Sequence, residues 1–515
     1  MKIHSFKKRF TAKFGSNLFK FIFNIVTLGI IPRELGPESY GDFGYLTHFF
    51  NKTMKFLKFG VPTAYFVKLS KNLEDRNFIG FYQLFILFLI IFLFALIGLI
   101  KITGIDYIVF PDQKYSLVIA AALLSIFMYL VDFMRSTNDS FGLTVNFETA
   151  AIISNFIRAS LVFLLFFLNL ITIESVFLLN YFALAYLIIY GARILNKNKI
   201  YFLRYFNFSK LNLVSYLKEI YIFSHPLFIN GLVIFIAVMF DRWLLQYYYG
   251  SIEQGYFTLG WQISGTLILI VSPVSTLLLR DMSISFKKGD LTTIKKYFLR
   301  STNLLYSFIA FFAVFIFVNS EFIAIMIGGM RYINASLVIG VMALYAMHQI
   351  YSLQVSNILL VKESTNILRN VTLLTILPGL LLTIYLVAPK TLYGLELGAE
   401  GLALKTLIVQ FFAVNAYLWI VSNYLKISFI KNIIYQVSIP ILFFILVQFS
   451  QFLLFLFFTE RGINFFLLSG FVYTIATAIS LYFFPRVFGI SQIDFDNGKL
   501  RINELSKKYF FKKVC

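Results

Sequence analysis

The sequence predicts an all-α protein that crosses a membrane about fourteen times, and three observations lead there. Of its 515 residues, 59% are hydrophobic and only 13% are charged, with mean hydropathy +0.81; a soluble domain carries about 25% charged residues. Apolar runs of about 20 residues, long enough for a hydrocarbon core of about 30 Å, recur along the whole chain. Lysine and arginine collect on alternate connections between those runs, as the positive-inside rule requires. A single soluble core is excluded.

The runs lie near 15–32, 41–67, 78–100, 115–134, 148–169, 175–192, 220–249, 255–279, 298–318, 335–360, 368–388, 399–425, 433–458 and 463–484. The first has no small-residue cleavage site beside it, so it is expected to remain as the first helix. The second is the least apolar, because it holds Lys52, Lys55 and Lys58. With both termini cytoplasmic, the inner segments take the basic start, the lysines and arginines of 193–219, those of 280–296 and the basic tail. The outer segments hold only Arg33, Lys101, Lys114, Arg331, Lys390 and Arg461. The expected organisation is an N-terminal lobe of six helices over 1–192, a cytoplasmic linker at 193–219 and a second six-helix lobe over 220–425. Two extra helices follow at 426–484, then a basic cytoplasmic tail at 485–515. Pro226, Pro273 and Pro378 lie inside runs as candidate hinges.

An internal repeat supports the division. LGPESYGDFGYL follows the first run and YGSIEQGYFTLG the seventh, so that Gly36, Gly41 and Phe43 correspond to Gly250, Gly255 and Phe257. ELGAEG at 396–401 echoes ELGPES at 34–39. Lobes repeating after six helices keep their orientation, which makes them parallel repeats about an axis along the membrane normal.

The net charge of +21 is larger than topology alone accounts for. Lys20, Lys52, Lys55, Lys58, Arg158, Arg242, Arg300 and Lys405 fall within runs, against Asp132 and Asp241 as the acids well inside them. A charge at the bilayer centre costs about 2.5–3.5 kcal/mol on insertion scales, so such groups face a wet cavity or a partner. His48, Asn51, Lys55, Lys58 and Pro62 step by three and four and share one helical face, with Lys52 at its edge. Asn17, Lys20, Asn24 and Thr27 form a second polar line, Asn155 and Arg158 a third, and His348, Ser352 and Ser356 a fourth. Turned inward, these stripes enclose a cationic cavity suited to an anion, with lysines as point charges and arginines as forks for phosphate oxygens. The candidate substrate-binding residues are Lys52, Lys55, Lys58, Arg158, Arg242, Asn51, His48, Asn24 and His348, with Asp241 and Asp132 as coupling or interlobe groups. The plainer alternatives stay open. Lys20, Arg300 and in part Lys58 reach the surface by snorkelling, His348 is a packing residue, or Asp241 and Arg242 form a structural pair.

Several chemistries are missing. There is no P-loop or nucleotide-binding glycine motif, and neither HExxH nor CxxC occurs. Four histidines and one cysteine, Cys515, give no expected metal site and no intramolecular disulfide. No cofactor is expected. The outer connections lack the long acid-rich segment of a membrane glycosyltransferase or O-antigen polymerase, the rival of a different class. Nucleic acid is not an expected partner, since topology explains the inner basic residues.

The stretch IPRELGPESYGDFGYL at 31–46 resembles the first signature of bacterial polysaccharide-repeat flippases of the Wzx type. It meets that pattern at Pro32, Leu35, Gly36, Pro37, Tyr40, Gly41 and Phe43. Asp241-Arg242 followed by Gly255-Tyr256, and GAEGLALKTLI at 398–408, are similar to later family positions. These flippases share a superfamily with multidrug extruders and the lipid II flippase. The resemblance implies two six-helix lobes in a V around the cavity, moving by alternating access in the bacterial inner membrane. It implies an undecaprenyl-diphosphate-linked oligosaccharide of O-antigen or capsule type as substrate, membrane lipids as surroundings, and polysaccharide polymerase or ligase partners. Proton or sodium coupling and drive by the membrane potential are equally open. The family often has twelve helices rather than fourteen, and the arginine- and aspartate-rich opening of lipid II flippases is not evident. A lipid II or multidrug exporter is therefore the second reading.

Overall fold

The computed structural model describes residues 6–58, 61–71, 73, 77–200, 213–362, 364–458 and 462–490. These residues form helices joined by short connections, without a strand among them. In order they are α1 (Phe6–Leu57), α2 (Val61–Lys71), α3 (Asn77–Ile102), the short α4 (Asp106–Val109), α5 (Tyr115–Ser140), α6 (Thr144–Phe167), α7 (Ile173–Lys197) and α8 (Leu213–Lys287). Then come α9 (Leu291–Val318), α10 (Ser320–Gly328), α11 (Ser336–Val361), α12 (Thr365–Val387), α13 (Gly398–Leu425), α14 (Phe429–Phe455) and α15 (Ile463–Phe483). Twelve helices among the described residues are long and apolar enough to cross a membrane, and the chain is a multi-pass membrane protein.

Two of the twelve cannot be single crossings. At 1.5 Å per residue, a straight helix the length of α1 or α8 would extend about 80 Å or 110 Å, far beyond a hydrocarbon core of about 30 Å. Each breaks at a glycine: Gly36 has φ 72 and ψ 171, Gly250 φ 69 and ψ −165. Both lie in the positive-φ region that a side chain resists. Counting each arm as a crossing restores the fourteen segments of the sequence. Pro226 and Pro273, read as hinges, sit in helical stretches of α8, whose break is at Gly250 instead. Pro378 likewise lies within α12.

The second expected span, 41–67, is not one helix. α1 ends at Leu57 and α2 begins at Val61. Pro62 accounts for the restart, because proline fits the first turn of a helix and disrupts its interior. Pro62 therefore belongs to a different helix from His48, Asn51 and Lys55, and Lys58 lies in the turn. The middle of the expected linker, 201–212, and the tail from 491 onward lie outside the described residues; α7 already occupies the start of that linker as far as Lys197.

Local chemistry sets several helix starts. Thr172 and Ser175 form a reciprocal capping box at α7, with Ser175 N–H donating to Thr172 Oγ1 at 3.2 Å. Asp290 caps α9 and Ser428 caps α14 through their side-chain oxygens.

The chain divides into two compact units: Met1–Gln262 with Ala324–Val338 and Leu373–Lys405, and Ile263–Ile323 with Ile339–Thr372 and Thr406–Cys515. In the first unit, Tyr65, Tyr82 and Tyr129 are fully buried. Tyr65 stacks on Tyr82 at 4.2 Å and Tyr129 donates to the Tyr82 hydroxyl at 3.1 Å. In the second unit, Tyr306 donates to the Gln436 carbonyl at 2.7 Å and Tyr473 to the Phe311 carbonyl at 3.0 Å, tying α14 and α15 to α9.

The first unit also contains the repeat made physical. A Cβ on Gly41 would stand 1.7 Å from the Ser251 carbonyl oxygen, and one on Gly255 would stand 2.1 Å from that of Pro37. Pro37 and Ser251 are themselves equivalent under the shift that relates Gly41 to Gly255. The second arms of α1 and α8 thus meet backbone to backbone in a self-complementary contact, each glycine against the partner repeat's carbonyl.

Candidate functional site: a cation-lined cavity

α1, α5 and α6 place polar pairs one helical turn apart on the same side, two of them on α1. The pairs are Asn17 and Lys20 on the first arm of α1, Thr47 and Asn51 on its second arm, Asp132 and Arg135 on α5, and Asn155 and Arg158 on α6. Such spacing puts two Cβ atoms about 5–6 Å apart on one face. All eight line a cavity of about 350 Å³ within the first unit, together with Asn180 on α7 and Gln262. The rest of the lining includes Phe43, Leu124, Met128, Val131 and Leu187, so the polar groups project from an apolar wall. The volume falls in the range of small-molecule sites, about 300–1,000 Å³.

The charges are unbalanced. Lys20, Arg135 and Arg158 face the cavity, and Asp132 is the carboxylate among its lining residues. That carboxylate is engaged: Lys58 Nζ donates to Asp132 Oδ2 at 3.1 Å and lies 4.1 Å from the centre of the Tyr129 ring. Arg135 approaches the buried Glu148 at 3.7 Å. Lys20 and Arg158 have no carboxylate partner among the described residues, and Arg158 Nε is buried without a hydrogen bond. In a low-dielectric surround, unpaired cations raise the local concentration of anions and favour binding one.

The amides are oriented. Asn155 donates from Nδ2 to the Ala151 carbonyl at 2.8 Å, and Asn180 from Nδ2 to the Val176 carbonyl at 2.7 Å. Each spends one of its two N–H donors on its own helix. Ser154 donates to the Ala183 carbonyl at 2.7 Å, holding α6 against α7 at this level.

Of the residues singled out by sequence, the cavity gathers Asn17, Lys20, Asn51, Asp132, Asn155 and Arg158, and Lys58 reaches it through Asp132. Lys52 is half-buried and Lys55 exposed near the end of α1, both outside the lining. His48 packs edge-on against Trp261 at 6.1 Å, its Nε2 buried without a partner. Asn24 lies beyond the cavity on α1; its carbonyl accepts from Thr27. Arg242 is buried and spans the Gly250 break, donating to Gln254 Oε1 at 2.8 Å and Thr258 Oγ1 at 3.1 Å, with Phe257 beneath it at 4.3 Å. Asp241 does not pair with it. Its carboxylate accepts instead from Lys405 Nζ at 2.5 Å and Thr383 Oγ1 at 2.7 Å, joining α8, α12 and α13. His348 is buried in the second unit, 5.3 Å from Phe411 and 5.9 Å from Tyr306.

Sequence reasoning missed Arg135, Thr47, Asn180 and Gln262. Arg135 follows the fourth run, on a connection where topology alone explains a cation, although its one-turn spacing from Asp132 is a signal. Asn180 is an isolated amide in an apolar helix, and nothing in its spacing announces it.

Residues 6–279 match the model of a family described as polysaccharide biosynthesis protein. Among solved structures, the lipid II flippase MurJ in an inward closed conformation is similar with a TM-score of 0.64 and 16% identity, over 92% of this chain and 98% of that one. An inward-facing multidrug resistance MATE family transporter of the MOP superfamily gives 0.59 and 14%, over 80% and 95%. No curated protein sequence matches the chain. The fold is the one shared by MurJ and the MATE transporters, and with more than half its length matching the family model, the chain belongs to the polysaccharide biosynthesis protein family.

Proposed function

We propose that this membrane transporter is a flippase for a polyprenyl-diphosphate-linked oligosaccharide, carrying the unit between leaflets by alternating access of lobes 1–192 and 220–425. The observation that carries the reading is the pair of cations, Lys20 and Arg158, that have no carboxylate partner among the described residues and lie in one cavity with several amides. A diphosphate neutralises the cations, the amides match a sugar, and the polyprenyl chain stays in lipid. O-antigen or capsule repeat units are the substrate class, in the bacterial inner membrane with both termini cytoplasmic. Membership of the polysaccharide biosynthesis family supports a saccharide cargo. A lipid II substrate is the second reading, favoured by the likeness to MurJ; it carries the same diphosphate and meets the same cations. A multidrug substrate fits less well, since a cationic drug is repelled by this lining.

The test is deletion of the gene, followed by assay of which lipid-linked intermediate accumulates and on which leaflet. Accumulation of a complete oligosaccharide unit facing the cytoplasm is expected. Normal surface polymer in the deletion strain, or accumulation of a truncated sugar as in loss of a glycosyltransferase, overturns the reading.

A further inference from the structure

We infer that Glu148 limits how tightly the cargo is held, by competing with its diphosphate for Arg135, and so speeds its release. The inference rests on the proposed flippase reading and adds two residues to the same site. Arg135 is a third phosphate-binding group, and Glu148 is the positioning residue that moderates it.

Lys58 and Arg135 each have an acid beside them, and they are held differently. Lys58 donates to Asp132 at 3.1 Å. Arg135 Nε stands 3.7 Å from Glu148 Oε1, beyond the limit of about 3.2 Å for an N–H···O hydrogen bond. That Nε is buried without a hydrogen bond. The guanidinium carbon lies 5.6 Å from the centre of the buried Phe147 ring, near the outer limit of cation–π attraction. Glu148 therefore attracts the guanidinium without binding it closely. The Arg135 side chain is 43% exposed and lines the cavity with Lys20 and Arg158, whereas that of Glu148 is 5% exposed and lies outside the lining. Arginine carries its N–H donors in a planar fork that fits two oxygens of one phosphate.

A diphosphate on Lys20 and Arg158 brings acceptor oxygens into the cavity that Arg135 borders. The phosphate and Glu148 then draw on one guanidinium. A buried carboxylate that loses its cation is destabilised, so what Arg135 gives to the cargo is reduced by what Glu148 gives up. A transport site needs that moderation, because cargo bound well enough to enter must be bound weakly enough to leave. Asp132 is already engaged by Lys58, and Lys20 and Arg158 have no carboxylate partner among the described residues. Glu148 is the acid placed to do it.

The full chain is tested in nanodiscs for affinity and in proteoliposomes for flipping, with polyprenyl diphosphate as probe and uncharged polyprenol as control. Glu148→Gln is expected to bind polyprenyl diphosphate about tenfold more tightly, the size of one charge-assisted hydrogen bond freed from competition. It is expected to flip the saturating probe more slowly than wild type. Arg135→Gln binds about tenfold more weakly by the same measure. The double variant binds as weakly as Arg135→Gln alone, because the gain acts through the arginine. A gain that persists without Arg135 reflects only the loss of a nearby negative charge, and it overturns the inference. Affinity that Glu148→Gln leaves unchanged or lowers does the same, marking the pair as a tie between α5 and α6, and so does tighter binding with undiminished flipping. Glu148→Asp draws the carboxylate back by one methylene and covers the case in which the glutamine variant fails to fold. Its affinity is expected to lie above that of wild type, and an affinity equal to wild type rejects the competition. Wild type that binds polyprenol as tightly as polyprenyl diphosphate sinks the flippase reading itself. A clear preference for the diphosphate without coupling between Arg135 and Glu148 sinks only the role given to Glu148.

Discussion

Arg158 and Arg242 are both arginines in apolar helices, and their surroundings assign them opposite tasks. Arg242 is tied off by Gln254 and Thr258 across the Gly250 break. Arg158 faces an open cavity with Nε unpaired. Arg242→Ala is expected to lower stability, by about 1–3 kcal/mol for the acceptors left unsatisfied, and to appear as reduced melting temperature and membrane yield. Arg158→Gln is expected to leave melting unchanged while binding of polyprenyl diphosphate falls at least tenfold. The spacing of Asn155 and Arg158 made that pair legible in the sequence. The fate of Arg242 was not, because its partners lie twelve and sixteen residues away, beyond a helix break that spacing rules do not cross. At the start of α9, Asp290 accepts from the Thr292 hydroxyl at 2.6 Å and from Thr293 N–H at 3.0 Å. These bonds hold its carboxyl down to about 2, from 3.8. A depressed carboxyl contributes stability above its unfolded pKa, and the contribution fades as the pH falls from about 4 through 2. Asp290→Asn, which cannot ionise, is expected to flatten that part of the acid-unfolding curve relative to wild type.

Among the elements, the arms of α1 and α8 carry the clearest prediction. Gly41 and Gly255 have no room for a methyl group, and what each would strike is backbone rather than a flexible side chain. Gly41→Ala and Gly255→Ala are expected to destabilise by similar amounts, about 1–3 kcal/mol for overpacking, because the two contacts are equivalent. Thermal unfolding in detergent measures both. Gly265, on the second arm of α8 with open space around its Cα, is the control, and Gly265→Ala is expected to be nearly neutral. Most helix limits were readable from the apolar runs, since lipid demands a crossing of fixed length and satisfied backbone. The second span was not, because its lysines hid the stop at Leu57 and Pro62 was counted as part of a polar face rather than as the start of α2.

For the whole molecule, composition and the repeat announced a multi-pass helical membrane protein. The division of roles among its charges needed three dimensions, since a lysine bound to Asp132 and one without a partner look alike in a sequence. If the cargo crosses as an anion, the membrane potential acts on it directly, by about 2.3 kcal/mol per charge for each 100 mV. Flipping of polyprenyl-diphosphate probes in proteoliposomes is expected to speed up when the destination side is made positive and to slow when it is made negative. A rate indifferent to an imposed potential would mean that a cation travels with the cargo and cancels its charge.

The meeting of Gly41 with Ser251 and of Gly255 with Pro37 has the geometry of a contact across a two-fold axis. Two identical half-length chains facing each other make this kind of contact. In such a pair, one codon would govern both sides, and any enlargement of that glycine would strike twice. In a single chain each glycine answers for only one side, so either can be enlarged while the other keeps its place.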